Sequence, residues 1–410
     1  MRVAYITGTF PSHTESFIAR EISGLCQSGF ELVVFAARRD RGPHLTTPSI
    51  PVYYRPPRWS VDVWRSTLGL LISCRGRLLA LFHLLCTLLL AHPREAITLL
   101  ANLHTLGFFI RCMDREKIDH VHACFLSWPG CLGTAISRMT GRTLSISAHA
   151  RDIFVEHGAA EMKVRQASFV SVCTQQGMRR LQTMLSPKYH HKLHLVRHGV
   201  EPDGALAART LSGHDEVADN RVVLAVGRLV PKKGFDVLLR SFALLVQDVP
   251  KARLCLVGDG DERATLEALA NRLDLTQQVR FFGWQSLGDV QSLMKRAGVL
   301  VVPSRIDRRG DRDGLPNVVL EAFACGLPVI ASPLDGIQEA VIHRKTGLLV
   351  EPQDIRGMAS ALKEMLTNTG LRDYVTSEAR DLAARTFCPA GNLRHLIPLF
   401  RSVDPCKLGA

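Results

Sequence analysis

Short apolar runs alternate with segments of helical periodicity along most of the chain. Residues 3–6 and 32–35 are runs of strand length, and between them Phe17, Ile18, Ile22 and Leu25 recur on one face of a helix. This order of strand, helix and strand returns from residue 118 and again from residue 222. Because strands that alternate with helices build parallel sheets covered on both faces, the pattern predicts an α/β fold.

Two such domains account for the length of the chain. A sequence of 410 residues suits two domains of about 200 residues each. Residues 204–220 are rich in Ala, Gly, Asp and Thr and have little periodic apolar content, which is typical of a linker. We therefore predict domains at residues 1–203 and 221–387, joined by this linker, and a separate terminal segment at residues 388–410.

Residues 78–91 form an apolar run that follows Arg75 and Arg77. A helix that spans a membrane needs about 20 apolar residues, so this run is too short to indicate a transmembrane segment. Two interpretations remain open. The run is either a helix buried in the first domain or a helix that lies in the membrane interface beside the arginines.

The net charge of +13 is unevenly distributed. Residues 1–205 hold 24 Lys and Arg against 14 Asp and Glu, so the first half carries most of the excess. A basic surface attracts nucleic acid, anionic lipid or a phosphorylated acceptor. Nucleic acid is disfavoured among these partners, because aromatic residues make up only 6% of the chain and no nucleic-acid-binding motif appears.

The 11 cysteines are scattered, without a Cys-x-x-Cys pair and without a paired Cys/His spacing. This pattern predicts reduced thiols and neither disulfides nor a zinc site. The first residues run directly into a strand and show no signal peptide. We therefore expect a cytoplasmic protein.

The stretch from residue 313 to residue 328 carries the first candidate site. Asp313 lies in a loop, Pro316 opens a helix, Glu321 follows after one apolar turn, and Gly326 ends the helix. Backbone N–H groups around residues 315–318 point out of such a helix N-terminus, where an anion such as a phosphate binds. The two carboxylates add acceptors for hydroxyl groups, so the stretch indicates a nucleotide-sugar site.

A second candidate site follows the first strand of the second domain. The loop Gly227-Arg-Leu-Val-Pro-Lys-Lys-Gly234 places three cations beside two glycines. Breaking a sugar–phosphate bond builds negative charge on the diphosphate, which fixed Arg and Lys side chains stabilise. The loop after the first strand of the chain lacks the full Gly-x-Gly-x-x-Gly pattern, which disfavours a nicotinamide enzyme.

The spacing Asp313-x7-Glu321, followed by Ala-x-Ala-x-Gly-x-Pro, resembles the acidic signature of the retaining glycosyltransferases of family four. The family usually has Glu at the first acidic position, where this chain has Asp313, and the shorter side chain withdraws the carboxylate by one methylene. The resemblance implies the GT-B fold, with two Rossmann-like, doubly wound domains facing across a cleft. It also implies that the first domain binds the acceptor, that the second binds the nucleotide sugar, and that residues 388–410 pack back on the first domain.

Two motifs in the first domain resemble the subgroup of this family that makes bacterial exopolysaccharides and colanic acid. They are Phe10-Pro-x-x-x-Glu15-Ser-Phe-Ile-x-x-Glu21-Ile and Ala148-His149-Ala-Arg-Asp152. The resemblance implies that His149 lines the site of sugar transfer. The position agrees with this role, because His149 follows a predicted parallel strand and open α/β sheets bind ligands at that edge.

The resemblance assigns the remaining roles residue by residue. Arg228 and Lys233 would stabilise the diphosphate, Asp313 would bind the sugar hydroxyls, and Glu321 would bind the ribose hydroxyls. With His149, the first three form the predicted catalytic set. The other predicted substrate-binding residues are Glu15, Gly258, Trp284, Gly314, Leu315, Pro316, Asn317 and Val318.

The resemblance implies a retaining reaction without a metal or other cofactor, in which cationic side chains take the place of the metal. The nearest Asp-x-Asp pattern is Asp311-Arg-Asp313. The expected acceptor is a saccharide or a lipid-linked saccharide, met by peripheral contact with an anionic membrane at the inner face of the plasma membrane. Two alternatives remain: a nucleotide-sugar epimerase on the same fold, and a non-catalytic protein that binds nucleotide sugars.

Overall fold

The computed structural model describes residues 1–12, 15–40, 50–57, 59–73, 75–200, 221–334 and 336–404, without the side chains of residues 70–73. The predicted linker at residues 204–220 lies outside the described residues. The chain divides into two compact units. The first comprises Met1–Arg197 with Asn392–Ala410, and the second comprises His198–Gly391.

A seven-stranded parallel sheet forms the centre of the first unit, in the order β3-β2-β1-β4-β5-β6-β7. Its strands are short and rich in β-branched residues, as buried parallel strands require. They are β1 (Arg2–Thr9), β2 (Glu31–Arg38), β3 (Val52–Tyr54), β4 (His120–Ala123), β5 (Thr143–Ala148), β6 (Phe169–Val172) and β7 (Leu193–Leu195).

Helices cover both faces of this sheet. They are α1 (Ser16–Gln27), α2 (Val61–Ser73), α3 (Arg75–Ala91), α4 (Pro93–Ala101), α5 (Leu103–Arg115), α6 (Trp128–Thr140), α7 (Ala150–Phe154), α8 (Ala160–Gln166) and α9 (Gln175–Met184), with a 3-10 helix at Pro187–Lys192. One core contains Phe109, Val121 and Ile136, and the core on the opposite face contains Ile22 and Leu32. The face of α1 that carries Ile18, Ile22 and Leu25 is buried, as its periodicity predicts.

The run at residues 78–91 falls within α3, which is buried on one face and exposed on the other. Leu81, Leu84 and Leu88 are buried against the sheet side of the unit. Phe82 and Leu90 are exposed to 67% and 90%. No single helix among the described residues is long and apolar enough to span a membrane. The pair α4 and α5, bent by 62° where they join, together has the length and apolar composition of a membrane span.

The second unit has a six-stranded parallel sheet in the order β10-β9-β8-β11-β12-β13. Its strands are β8 (Val222–Val226), β9 (Arg253–Val257), β10 (Val279–Gly283), β11 (Val299–Val302), β12 (Val329–Ala331) and β13 (Leu348–Leu349). Its helices are α10 (Phe235–Asp248), α11 (Arg263–Arg272), α12 (Leu287–Arg296), α13 (Asn317–Cys325), α14 (Ile355–Thr367) and α15 (Thr369–Thr386), with 3-10 helices at Pro231–Lys233 and Ile337–Glu339.

Both sheets are doubly wound, as predicted. In each, the order runs outward in two directions from the first strand of its unit, which pairs with the second strand on one side and with a later strand on the other. This is the Rossmann arrangement, and ligands bind to it outside the carboxyl ends of the strands where the order reverses. The reversal lies between β1 and β4 in the first unit and between β8 and β11 in the second.

The last helix, α16 (Pro389–Ser402), returns to the first unit from Asn392 onward. Its Phe400 is buried against the rings of Tyr5, His120 and His122. The nine cysteines that the structure describes form no disulfide with one another.

Beneath Phe400, a buried network of polar side chains joins β1, β4 and β5. His122 lies within hydrogen-bond distance of Ser145 and Ser147, at 2.7 and 2.6 Å. Tyr5 donates its hydroxyl to Glu21 Oε1 at 2.8 Å. Burial raises the pKa of Glu21 to about 7, although the hydrogen bond from Tyr5 opposes the rise, and burial lowers the pKa of His122.

Glu21→Gln is expected to stabilise the protein more at pH 8 than at pH 5. The pKa of Glu21 is about 7 in the folded state and 4.5 in its usual range. Between these two pH values the folded state therefore keeps a proton on Glu21 that the unfolded state has released. The contribution of Glu21 to the free energy of unfolding therefore falls as pH rises, by up to about 1.4 kcal/mol per pH unit, and levels off above pH 7. Gln keeps the acceptor for Tyr5 and removes this cost.

Melting temperatures measured at intervals between pH 5 and pH 8 check this expectation. The difference between the variant and the wild type should grow with pH up to about pH 7. A constant difference for Glu21→Gln would contradict it.

Candidate functional site

An ion pair joins the two loops that flank the reversal in strand order of the second unit. Lys233 ends the 3-10 helix after β8, and Asp313 lies in the loop after β11. Lys233 Nζ lies 2.7 Å from Asp313 Oδ2. The structure thus brings two of the predicted catalytic residues into direct contact at the edge where ligands bind to this type of sheet.

Asp313 is also held by Ser304 and Lys232. Ser304 donates its hydroxyl to Oδ2 at 2.6 Å, and Lys232 Nζ lies 3.7 Å from Oδ1. Burial alone would raise the pKa of Asp313, but Lys233 and Lys232 outweigh it, so the pKa lies below the usual value. Asp313 is therefore a carboxylate at neutral pH, although only 9% of it is exposed.

Lys232, Ser304 and Asp311 also belong to this cluster, although the sequence analysis assigned none of them a role in the site. Lys232 is buried and forms an ion pair with Asp311 at 3.0 Å. Both carboxylates of the Asp311-Arg-Asp313 pattern therefore contact lysine ammonium groups. The pair of adjacent lysines was the sequence signal that could have indicated a buried lysine. Two neighbouring side chains in a tight turn point in different directions, so they need not both face solvent.

Two further loops adjoin this cluster at the carboxyl edge of the sheet. The Leu229 N–H donates to the Asp259 carbonyl at 2.9 Å, and the Gly258 N–H donates to the Gly283 carbonyl at 2.8 Å. These bonds connect the loops that carry Arg228, Gly258 and Trp284. Arg228 and Trp284 are both exposed, so their side chains are accessible to a ligand at this edge.

Helix α13 begins and ends as the sequence predicts. Pro316 is its N-cap, without a side-chain capping hydrogen bond, and Gly326 ends it in the left-handed conformation with a φ of 69°. The first N–H groups of a helix have no partner within the helix, and the helix dipole adds positive potential there. Residues 314–318 supply this N-terminus, and Glu321 is buried in the following turn.

Gly234 fixes the approach of the lysine loop to β11. Its φ is +66°, and a Cβ at this position would lie 2.0 Å from the Pro303 carbonyl oxygen, one residue before Ser304. A side chain would therefore separate the loop of Lys233 from the loop of Asp313. The close contact between the two loops requires glycine here.

Gly234→Ala is expected to lower the melting temperature more than Gly310→Ala. Both positions have a positive φ, which costs about 1–2 kcal/mol for a residue with a Cβ, but a Cβ at Gly310 would meet no atom within 4 Å. The difference between the two variants therefore isolates the clash with Pro303. Equal melting temperatures of the two variants, measured by circular dichroism, would show that the loop moves away from the added Cβ without a loss of stability.

The first unit has a pocket of about 410 Å³ at its own reversal of strand order. Residues from the ends of β1 and β2, from the segment after β3 and from the start of α6 line it. The polar and aromatic side chains among them include Glu15, Arg38, Arg55, Trp128, Arg151 and Glu156. The structure thus places the predicted residue Glu15 in a pocket with three arginines.

His149 follows β5 and lies between two aromatic rings beside this pocket. Its ring centroid is 4.8 Å from those of Phe17 and Phe125. Asp152 accepts the His149 N–H at 2.8 Å and also the Leu126 N–H, which fixes the turn. Burial lowers the pKa of His149 to about 3, so its imidazole is neutral at physiological pH.

A second pocket, of about 450 Å³, lies in the second unit beside α12 and α15. Lys295, Arg372 and Arg380 are among its lining residues. None of the predicted site residues lines it. The candidate residues of each unit lie instead at the carboxyl edge of that unit's own sheet.

Residues 211–382 match the family model described as Glycosyl transferases group 1. The lipopolysaccharide core biosynthesis glycosyltransferase LpsE of Rhizobium meliloti is 33% identical over 42% of this chain and 47% of its own length. The GDP-mannose-dependent alpha-(1-6)-phosphatidylinositol monomannoside mannosyltransferase of Mycolicibacterium smegmatis is 34% identical over 42% of this chain and 44% of its own length. The chain thus spans about half the length of the curated relatives it matches.

A solved structure of Anabaena Alr3699/HepE, in complex with UDP and glucose, covers 98% of this chain and 100% of its own, with a TM-score of 0.72 and 19% identity. The chain therefore has the fold of the GT-B glycosyltransferases, with two parallel α/β domains. The matched family model supports the predicted glycosyltransferase class. The exopolysaccharide and colanic-acid subgroup stays a prediction, since the named relatives act in other pathways.

Proposed function

We propose that this protein is a retaining glycosyltransferase that moves a sugar from a nucleotide-diphosphate sugar to a saccharide or lipid-linked saccharide acceptor. The product would belong to a cell-surface polysaccharide or glycolipid. The observation that carries the proposal is the cluster of Lys233 and Asp313 beside the N-terminus of α13. It lies within the segment that matches the glycosyltransferase family model.

The chemistry follows from the charges in this cluster. When the bond between the sugar and the diphosphate breaks, negative charge grows on the departing phosphate. Lys233, Arg228 and the first N–H groups of α13 would stabilise that charge. The ion pair with Asp313 holds the Lys233 ammonium in one place, so no reorganisation is needed as the charge develops.

The carboxylates would bind hydroxyl groups of the donor. Asp313 Oδ2 is already bound by Lys233 and Ser304, whereas Oδ1 lies beyond hydrogen-bond distance of Lys232. Oδ1 is therefore the oxygen that we assign to the sugar hydroxyls. Glu321 would accept the ribose hydroxyls, and the neutral imidazole of His149 would line the transfer site without acting as an acid.

We assign the acceptor to the pocket of the first unit. Trp128 offers a ring on which a sugar can stack, and Arg38, Arg55 and Arg151 offer charge for a phosphate. A phosphate-linked saccharide combines both features. The names of the similar proteins, which include lipopolysaccharide core and phosphatidylinositol monomannoside glycosyltransferases, are consistent with such an acceptor.

The proposal is tested by incubating the protein with nucleotide-diphosphate sugars and lipid-diphosphate-linked saccharides, with and without a chelator. We expect transfer with retained anomeric configuration in the NMR spectrum of the product, and equal turnover in the chelator, because lysines neutralise Asp311 and Asp313. Inversion of the anomeric centre would refute retention, and loss of turnover in the chelator would refute metal independence.

The same experiment without an acceptor distinguishes the two alternatives. An epimerase would release free sugar or an altered nucleotide sugar from the donor alone. A non-catalytic binding protein would bind the donor and never turn it over, and Asp313→Glu, which restores the usual residue of the family, would then be the informative variant.

A further inference from the structure

Ten of the fifteen exposed large apolar side chains among the described residues lie between residues 59 and 100. They come from α2, α3, α4 and the residues just before α2. These ten side chains, which we call the α2–α4 surface, are Trp59, Val61, Trp64, Leu68, Leu79, Phe82, Leu89, Leu90, Ile97 and Leu100. Such a concentration of exposed apolar side chains on one segment marks an interaction surface.

The exposed side chains follow helical spacing, so each helix presents one apolar face outward. Val61, Trp64 and Leu68 recur at intervals of three and four on α2. On α3, Leu79, Phe82, Leu89 and Leu90 lie within an arc of about 100°, opposite the buried leucines. Since α2 contacts α3 and α3 contacts α4, the three faces belong to neighbouring helices.

Helix α3 is apolar on both sides, which is unusual for a helix at a water-exposed surface. Its inner face packs on the core through Leu84 and Leu88, yet Phe82 and Leu90 remain exposed to 67% and 90%. A helix that is apolar all round is ordinarily buried in protein or in lipid. The outer face of α3 therefore requires a second apolar environment.

The charges around the α2–α4 surface match an anionic partner. Residues 55–101 contain six arginines against Asp62 and Glu95. Glu95 is directed toward Lys163, which lies 3.1 Å away, whereas Arg65, Arg75 and Arg94 are exposed. Arginines beside exposed Trp, Phe and Leu are typical of helices that lie in the interface of a bilayer with anionic lipids.

We propose that the α2–α4 surface inserts into the interfacial region of an anionic lipid bilayer, with α2 and α3 lying along the membrane. The pocket of the first unit then lies close to the lipid headgroups, because Arg55 precedes this segment and Asn102 directly follows α4, and both line the pocket. Membrane binding through this surface needs no nucleotide, so its test is separate from that of the donor site.

The purified full-length protein is mixed with sedimenting vesicles of phosphatidylcholine and phosphatidylglycerol in equal parts, or of phosphatidylcholine alone. The wild type should bind the anionic vesicles more tightly, by about fivefold for each engaged arginine, and the difference should shrink in high salt. Failure to sediment with the anionic vesicles would overturn the proposal.

Phe82→Glu combined with Leu90→Glu should weaken binding to the anionic vesicles by about tenfold or more, because two apolar groups leave the bilayer and two negative charges face it. Leu244→Glu combined with Tyr374→Glu, at exposed apolar positions of the second unit, is the matched control and should bind as the wild type does. Unaltered melting temperatures would exclude misfolding, and equal binding by both double variants would overturn the proposal.

A second copy of the chain is the competing occupant of this surface. Sedimentation equilibrium without lipid distinguishes it. A dimer that Phe82→Glu with Leu90→Glu dissociates would overturn the proposal, whereas a monomer for the wild type supports it. Nucleotide-dependent thermal stabilisation, measured on the same variants, should equal that of the wild type whatever the outcome with vesicles.

Discussion

Lys233→Met is expected to lower kcat by about 10²–10³-fold, because in the proposed reaction it would remove a fixed positive charge from the place where negative charge develops on the diphosphate. Met keeps the apolar stem that packs beside Gly227, so the change is confined to the ammonium group. Since the interaction strengthens as the bond breaks, kcat should fall more than KM rises. Initial rates over a range of donor concentrations check both parameters.

Lys251→Met is the matched control, because Lys251 is an exposed lysine of the same unit. It should leave kcat and KM within about twofold of the wild type. Asp313→Asn removes the partner that holds Lys233 and should lower kcat less than Lys233→Met does, since the ammonium remains. If Lys233→Met kept the turnover of the wild type, Lys233 would have no role in the reaction.

Glu321→Gln is expected to raise KM for the donor by about 10–100-fold while kcat changes little. Hydrogen bonds to a charged group contribute about 1.5–3 kcal/mol each, and Gln keeps the shape of the side chain without its charge. The ribose is remote from the bond that breaks, so its contacts are equally strong before and during the reaction. Steady-state kinetics with the donor as the varied substrate give the result.

Glu351→Gln, at an exposed position of the second unit, serves as the control for this variant. Because Glu321 is buried, the melting temperature of Glu321→Gln without ligand must be compared with that of the wild type to exclude a loss of folding. An unaltered KM would contradict the assignment of Glu321 to the donor, and a fall in kcat alone would move Glu321 to the reacting centre.

Most of the fold could be predicted from the sequence. Buried parallel strands are short apolar runs bounded by loops, so strands such as β1, β8 and β11 were identified from their composition alone. Strand β3 was not predicted, because three residues at the edge of a sheet leave no periodic signal. The strand order depends on contacts between distant residues and needed the structure.

The helices between residues 56 and 113 illustrate the limit of periodicity. The sequence predicted a helix at residues 78–91, which the structure confirms as α3, but it did not predict α2, α4 and α5. On α3 the apolar residues occur on every side, so their spacing cannot show which face is buried. The division between Leu84 inside and Phe82 outside depends on what α6 and α4 cover.

The candidate site could be predicted only in part, for a similar reason. Residue types and spacing indicated an anion and hydroxyl site, and the resemblance assigned roles to Arg228, Lys233, Asp313 and Glu321, which stay predictions. The ion pair between Lys233 and Asp313 joins positions 80 residues apart. No local pattern encodes such a contact, and for the same reason Ser304 and the inward turn of Lys232 were missed.

The central claim is that the second unit binds a nucleotide-diphosphate sugar through Lys233. Melting temperatures of the purified protein with a panel of nucleotide diphosphates and their sugars test it most directly. A ligand at 100 times its dissociation constant adds about 2.7 kcal/mol to the free energy of unfolding, which corresponds to roughly 5–10 °C for a unit of this size. We predict such a shift with one base, and a clearly smaller shift in Lys233→Met but not in Lys251→Met. No shift with any nucleotide would contradict the claim.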